Sequence, residues 1–129
     1  MTINAQLWQA YREPFFRFLS PPLGDAFAIV TAWNPASQRL TLEQNRLRQQ
    51  AMITSLGGAA WSEVLVGDRR FEWSEESLAV TMPMQTALSL ANRFGQNAIY
   101  YVQGETLILV SCLPDGRQES LGQWRTRCL

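Results

Sequence analysis

Glu72, Glu75 and Glu76 lie within one short stretch of the chain, and Glu76 is followed directly by Ser77. Carboxylates at this density can divide acid and base roles or hold Mg²⁺. Neighbouring side chains of a strand point to opposite faces, however, so Glu75 and Glu76 are poorly disposed to share one ion. Strand alternation groups Glu76 with Leu78 and Val80, whereas Ser77 shares its face with Ala79 and Thr81. Glu76 is therefore the candidate general base, a carboxylate among apolar neighbours that would raise its pKa. A solvated charged stretch is the plainer alternative.

Carboxamides are the second chemical resource. Placing residues at about 100° per step from Leu42 to Leu56 puts Leu42, Met52, Ile53 and Leu56 on one helix face, with Asn45 and Gln49 on the same face. Arg46 borders that face, while Arg48 and Gln50 are expected to point outward. A buried amide left unpaired costs about 1 to 3 kcal/mol, so Asn45 either ties down a loop, with Asn34-Pro35 the nearest candidate, or meets a ligand. Asn34 sits where an apolar run meets its turn, and Arg46 would lie one turn beyond a capped helix start. That pairing of arginine fork and helix N-terminus suits an anion. Gln96, just after Gly95, is an amide at a helix-to-strand junction that can point into a cleft. Together, Asn34, Asn45, Arg46, Ser77 and Gln96, with Glu76 as the catalytic candidate, outline a cleft for a small polar or anionic ligand. The alternatives are a hydrolase or transferase using Glu76 as base, and a protein-interaction module without a small-molecule site.

Composition narrows the chemistry. The 129 residues contain no histidine, and all 11 basic residues are arginine. This removes imidazole bases, histidine-ligated zinc, Schiff-base lysines and the phosphate-loop lysine. No cofactor signature remains. The 11 acidic residues balance the charge, so no net field draws the chain to nucleic acid or an acidic membrane. Basic and aromatic residues interleave at Arg69-Arg70-Phe71-Glu72-Trp73 and Trp124-Arg125-Thr126-Arg127 only, and acids dilute the first. Cys112 and Cys128 lack the spacing of a zinc cluster or disulfide framework. Both are read as free thiols, Cys112 as core filler, with a Cys112–Cys128 bridge as the alternative; free thiols point to a reducing cytoplasm, and the longest apolar run, around Leu107 to Leu113, is too short to span a bilayer.

With 47% hydrophobic and 17% charged residues, the chain is expected to fold as one α+β domain over residues 1–129. The stripe Leu7, Trp8, Tyr11, Phe15, Phe18 and Leu19 predicts a helical N-terminus over Ile3 to Leu19, kinked or split at Pro14. The apolar run Ala26 to Trp33 reads as a central strand buried on both faces. Thr41 and Gln44 form a capping box for a helix from about Leu42 to Leu56, ended by Gly57-Gly58. Glu63 to Asp68 and Glu76 to Thr81 read as a hairpin. Pro83 and Gly95 bracket a second helix, and Ala98 to Val102 and Thr106 to Leu113 are strands. This order contains the β-α-β-β-α-β pattern of a ferredoxin-like split sandwich, with an N-terminal helix and an extra C-terminal strand or hairpin.

Four segments taken together, Thr31 to Ser37, Asn45-Arg46, Trp73 to Val80 and Phe94 to Tyr100, resemble a bacterial family of unknown function, the domain family numbered 3293. The resemblance runs from about Phe27 to Tyr101. It implies a small bacterial cytosolic protein and brings no established reaction. Asn34, Asn45, Arg46, Glu76, Ser77 and Gln96 match the family's polar signature, whereas the stretch Leu56 to Glu63 is shorter than the glycine-rich loop expected there.

Overall fold

In a computed structural model that describes residues 2–129, Asn4 caps a short helix, α1 (Ala5–Tyr11). The Asn4 side chain accepts from the backbone N–H groups of Gln6 and Leu7. The expected continuation of this helix toward Leu19 does not form. Pro14 cannot supply a helical N–H, and Phe15–Phe18 makes a strand, β1, instead. Phe15 and Phe18, which continued the helical spacing, fall on opposite faces of this strand, and Phe16 and Phe18 turn inward with Arg17 outward.

The central strand β2 (Ala26–Val30) is buried on both faces, as its unbroken apolar composition requires, but ends three residues before Trp33. The capping box at Thr41 and Gln44 opens α2 (Leu42–Ser55). A hairpin follows, β3 (Trp61–Gly67) and β4 (Ser74–Val80), then α3 (Met84–Arg93). Gly95 closes α3 in the left-handed region with φ +71°, the cap its position implied. The chain ends in β5 (Ala98–Gln103), β6 (Thr106–Ser111), β7 (Gln118–Gln123) and a 3-10 turn, Trp124–Arg127.

All seven strands join one sheet in the order β1-β3-β4-β2-β5-β6-β7, with every neighbouring pair antiparallel. Among the described residues the fold is thus α+β, three α-helices and an antiparallel sheet that curls. Phe16 of β1 forms a parallel bridge with Cys128, and the Leu129 N–H donates to the Phe16 carbonyl at 2.9 Å. Curling creates two cores from one sheet. On the outer face, Val30, Leu78 and Ile99 pack under Met52 of α2 and Ala87, Leu90 and Ala91 of α3. On the inner face, Phe16, Phe27, Ile29, Val64, Val102, Leu107 and Trp124 pack against each other across the hollow of the sheet. Helix α1 covers one end of that hollow through Trp8, which packs with Ile3 and Leu109. Among the described residues no helix is long and apolar enough to cross a membrane.

Candidate functional site

Strand β2 stops at Val30, and the segment after it must find partners for its backbone groups without a sheet ladder. Helix α2 supplies three of them. The Gln49 Oε1 accepts from the Ala32 N–H at 2.8 Å, and the Asn45 Oδ1 accepts from the Asn34 N–H at 2.9 Å. Arg48, expected to point outward, reaches inward: its Nε donates to the Ala32 carbonyl at 2.7 Å and its Nη2 to the Phe94 carbonyl. Gln96 donates to the Trp33 carbonyl at 3.0 Å, and the Ala36 N–H donates to the Gly95 carbonyl at 2.7 Å. The polar inner face of α2 is therefore a template for this loop. Asn45 has the loop-tying role of its two alternatives, and its Nδ2 also donates to the Asn34 Oδ1 at 3.0 Å.

The template holds a costly backbone. Asn34, Ala36 and Ser37 all have positive φ, at 45°, 53° and 60°, a region that charges non-glycine residues about 1 to 2 kcal/mol each. Such strain persists only where surrounding contacts over-determine it, and it gathers at functional sites. Here it aims two side chains into the open end of the curled sheet. The Asn34 Nδ2 donates to the Glu75 Oε2 at 2.7 Å. The Ser37 hydroxyl bonds the Tyr11 hydroxyl, and the Asn97 Nδ2 donates to that tyrosine oxygen at 3.2 Å.

These groups ring a cleft of about 480 Å³. Its floor is the inner sheet face, where cross-strand registry sets Val66 opposite Glu75 and sets Tyr100 between Ile29 and Leu109. Leu7 and Tyr11 of α1 wall one side, and Trp73, 53% exposed, stands at the rim. Gly67 permits the close turn beneath Trp73, since a Cβ there would lie 2.4 Å from the Trp73 carbonyl oxygen.

The carboxylate that enters this cleft is Glu75. Burial pushes its pKa up to about 6, partly opposed by the Asn34 hydrogen bond. Burial likewise raises the Tyr100 hydroxyl, which donates to the Tyr11 carbonyl at 2.6 Å. Glu76 points to the opposite face, where its Oε2 meets the Arg46 Nη2 at 3.3 Å in a largely exposed ion pair. The structure thus brings Asn34, Ser77 and Gln96 together along the cleft, keeps Asn45 behind Asn34 as a support, and sets Arg46 and Glu76 outside. Glu75 was weighed with Glu76 and passed over, and Tyr11, Ser37, Asn97 and Tyr100 were not among the candidate site residues of the sequence. Glu75 and Asn97 stood beside such residues, and strand parity had already put Glu75 on the Ser77 face; Tyr11 carried no local signal. Among the described residues no group of three Cys, Asp or Glu side chains is arranged to hold a metal ion.

A family model described as "Protein of unknown function (DUF3293)" matches residues 30–99, more than half of the chain. The chain belongs to this family. The DUF3293 match begins at the last residue of β2 and ends in β5, so it contains the strained loop, its α2 template, Glu75, Ser77, Gln96 and Asn97. Helix α1 and the Glu13-Pro14 turn after it, which wall the cleft from outside that segment, precede it. No curated protein and no solved structure matches the chain.

Proposed function

We propose that this DUF3293 protein binds a small molecule in the cleft at the open end of the curled sheet. The observation that carries this reading is the combination of an apolar floor with few, fixed polar groups: Ile29, Val66, Tyr100 and Leu109 below, Asn34, Glu75, Ser77 and Asn97 around. Apolar enclosure with a small number of convergent polar side chains is the usual build of a ligand pocket. The strained loop supports it, because backbone distortion is retained at Asn34, where the side chain reaches the cleft carboxylate. Glu75, in place of Glu76, is then the group that orients the ligand. An enzymatic reading is favoured by one observation, the Glu75 pKa near 6, which suits a general base or acid at neutral pH.

The same reading takes β2-α2-β3-β4-α3-β5, with strands in the order β3-β4-β2-β5, as a ferredoxin-like split unit extended by β1 on one edge and by β6 and β7 on the other. It also takes the setting as a bacterial cytoplasm, for which the free thiols of Cys112 and Cys128 support the reducing compartment.

A thermal-shift screen over nucleotides, amino acids, amines and small aromatic acids tests the binding reading. A compound present at 100 times its Kd stabilises the native state by about 2.7 kcal/mol, several degrees in Tm. The expected hit also shifts the NMR resonances of Asn34, Trp73 and Asn97. A screen without hits, or hits whose shifts fall away from the cleft, overturns it.

A further inference from the structure

The cleft holds a carboxylate, Glu75, that forms no ion pair among the described residues. Among the described residues Asn34 supplies the one hydrogen bond to the Glu75 carboxylate, through Oε2, and no arginine pairs with it. The remaining ionisable groups around the cleft are Glu13, Asp68, Arg39, Tyr11 and Tyr100, so acidic side chains outnumber the single guanidinium. Arg46, which would have favoured an anion, points away to Glu76 on the other face. At the rim, the half-exposed Trp73 offers an aromatic surface on which a cation gains attraction from the ring quadrupole. Beneath lie Ile29, Val66 and Leu109, which can cover only apolar atoms.

We infer that the ligand is an organic cation, a primary ammonium group on an apolar or aromatic body, with the ammonium donating to the Glu75 carboxylate and the body lying over the apolar floor. This rests on the cleft being a small-molecule site and specifies what that site takes. The ammonium would give Glu75 the charged partner that the protein withholds, at the one carboxylate oxygen left without a donor.

Three probes sharing one aromatic body separate the possibilities: 2-phenylethylammonium, 2-phenylethanol and 3-phenylpropionate, each titrated into the full chain and followed by NMR at the Trp73 indole and the Asn34 side-chain amide. The ammonium is expected to bind at least about tenfold tighter than the alcohol, and the carboxylate weakest. Glu75→Gln is expected to remove the ammonium's advantage while leaving the alcohol's affinity in place. With Glu75 titrating at about 6, its ionised fraction grows about tenfold between pH 5 and pH 7, and the ammonium's affinity should grow with it in the wild type and stay flat in Glu75→Gln. The exposed Trp73→Ala change should weaken the ammonium by about two- to fivefold. If the alcohol or the propionate binds the cleft as tightly as the ammonium, the cationic assignment is overturned and the small-molecule reading survives. If the ammonium leaves the cleft resonances unmoved while other compounds shift them, the result is the same. Absence of binding by every compound in both experiments overturns both.

Discussion

Replacing Glu75 by glutamine isolates the cost of holding a carboxylate inside the curled sheet. The side chain keeps its length and an oxygen that can accept from the Asn34 Nδ2, now at 2.7 Å from Oε2, but it can no longer ionise. Moving a carboxyl from its ordinary 4.5 to about 6 is worth about 2 kcal/mol between its two protonation states. Between those values the native state holds more protons than the unfolded one. The wild type therefore loses stability as pH rises through that window, and the loss is nearly complete by about pH 7. Urea unfolding followed by tryptophan fluorescence at pH 4 and pH 7.5 measures it. The stability difference between Glu75→Gln and wild type should grow in the variant's favour by about 2 kcal/mol from the lower pH to the higher, since all other titrations cancel in the comparison. Parallel pH profiles for the two proteins would refute the placement of Glu75 in a desolvated cleft.

Further outcomes follow from the supports of the cleft. Asn45→Ala orphans the Asn34 N–H and releases the loop, which should cost about 1 to 3 kcal/mol in urea unfolding and speed hydrogen exchange at the Asn34 amide. Arg46→Ala should change stability by less than about 1 kcal/mol, because its bond to Glu76 is a solvent-exposed ion pair, and should leave cleft binding unaltered. Burial pushes the Cys112 thiol up to about 12, so at pH 8 about one molecule in ten thousand carries the thiolate there. Iodoacetamide should consequently label the exposed Cys128 well before Cys112, as peptide mass mapping of the native protein would show.

Local signals in the sequence were sufficient for α2, where the Thr41–Gln44 capping box marks the start and Gly57-Gly58 lie past the end, although Leu42, expected on the inner face, is exposed; they were sufficient also for β2, whose composition leaves no polar face. They failed at Phe15–Phe18, because Phe15 and Phe18 continue the three- and four-residue spacing from Tyr11 while Phe16 and Phe18 fit strand alternation, and the choice is made by pairing with β3, far along the chain. The same non-local event hid part of the site. Strand parity correctly separated Glu75 from Glu76. It could not tell which face is enclosed around them, because the helix-covered face opens to solvent at Glu76 while the other is closed over Glu75 by the curl of the sheet and by α1. Polar residues bordering apolar runs, Asn34, Ser77 and Gln96, were legible for a simpler reason: each interrupts a pattern that burial would otherwise continue.

The bridge between Phe16 and Cys128 also bears on how the molecule meets its neighbours. A strand at the margin of a sheet presents unpaired backbone groups on which another chain can add. Here β1 pairs with β3 on one side, and on the other the Phe16 carbonyl is taken by the Leu129 N–H. The strand is only four residues long, and its outward side chain is the charged Arg17. The closure that hollows out the cleft therefore also blunts one of the two margins at which copies of the chain could assemble into a continuous sheet.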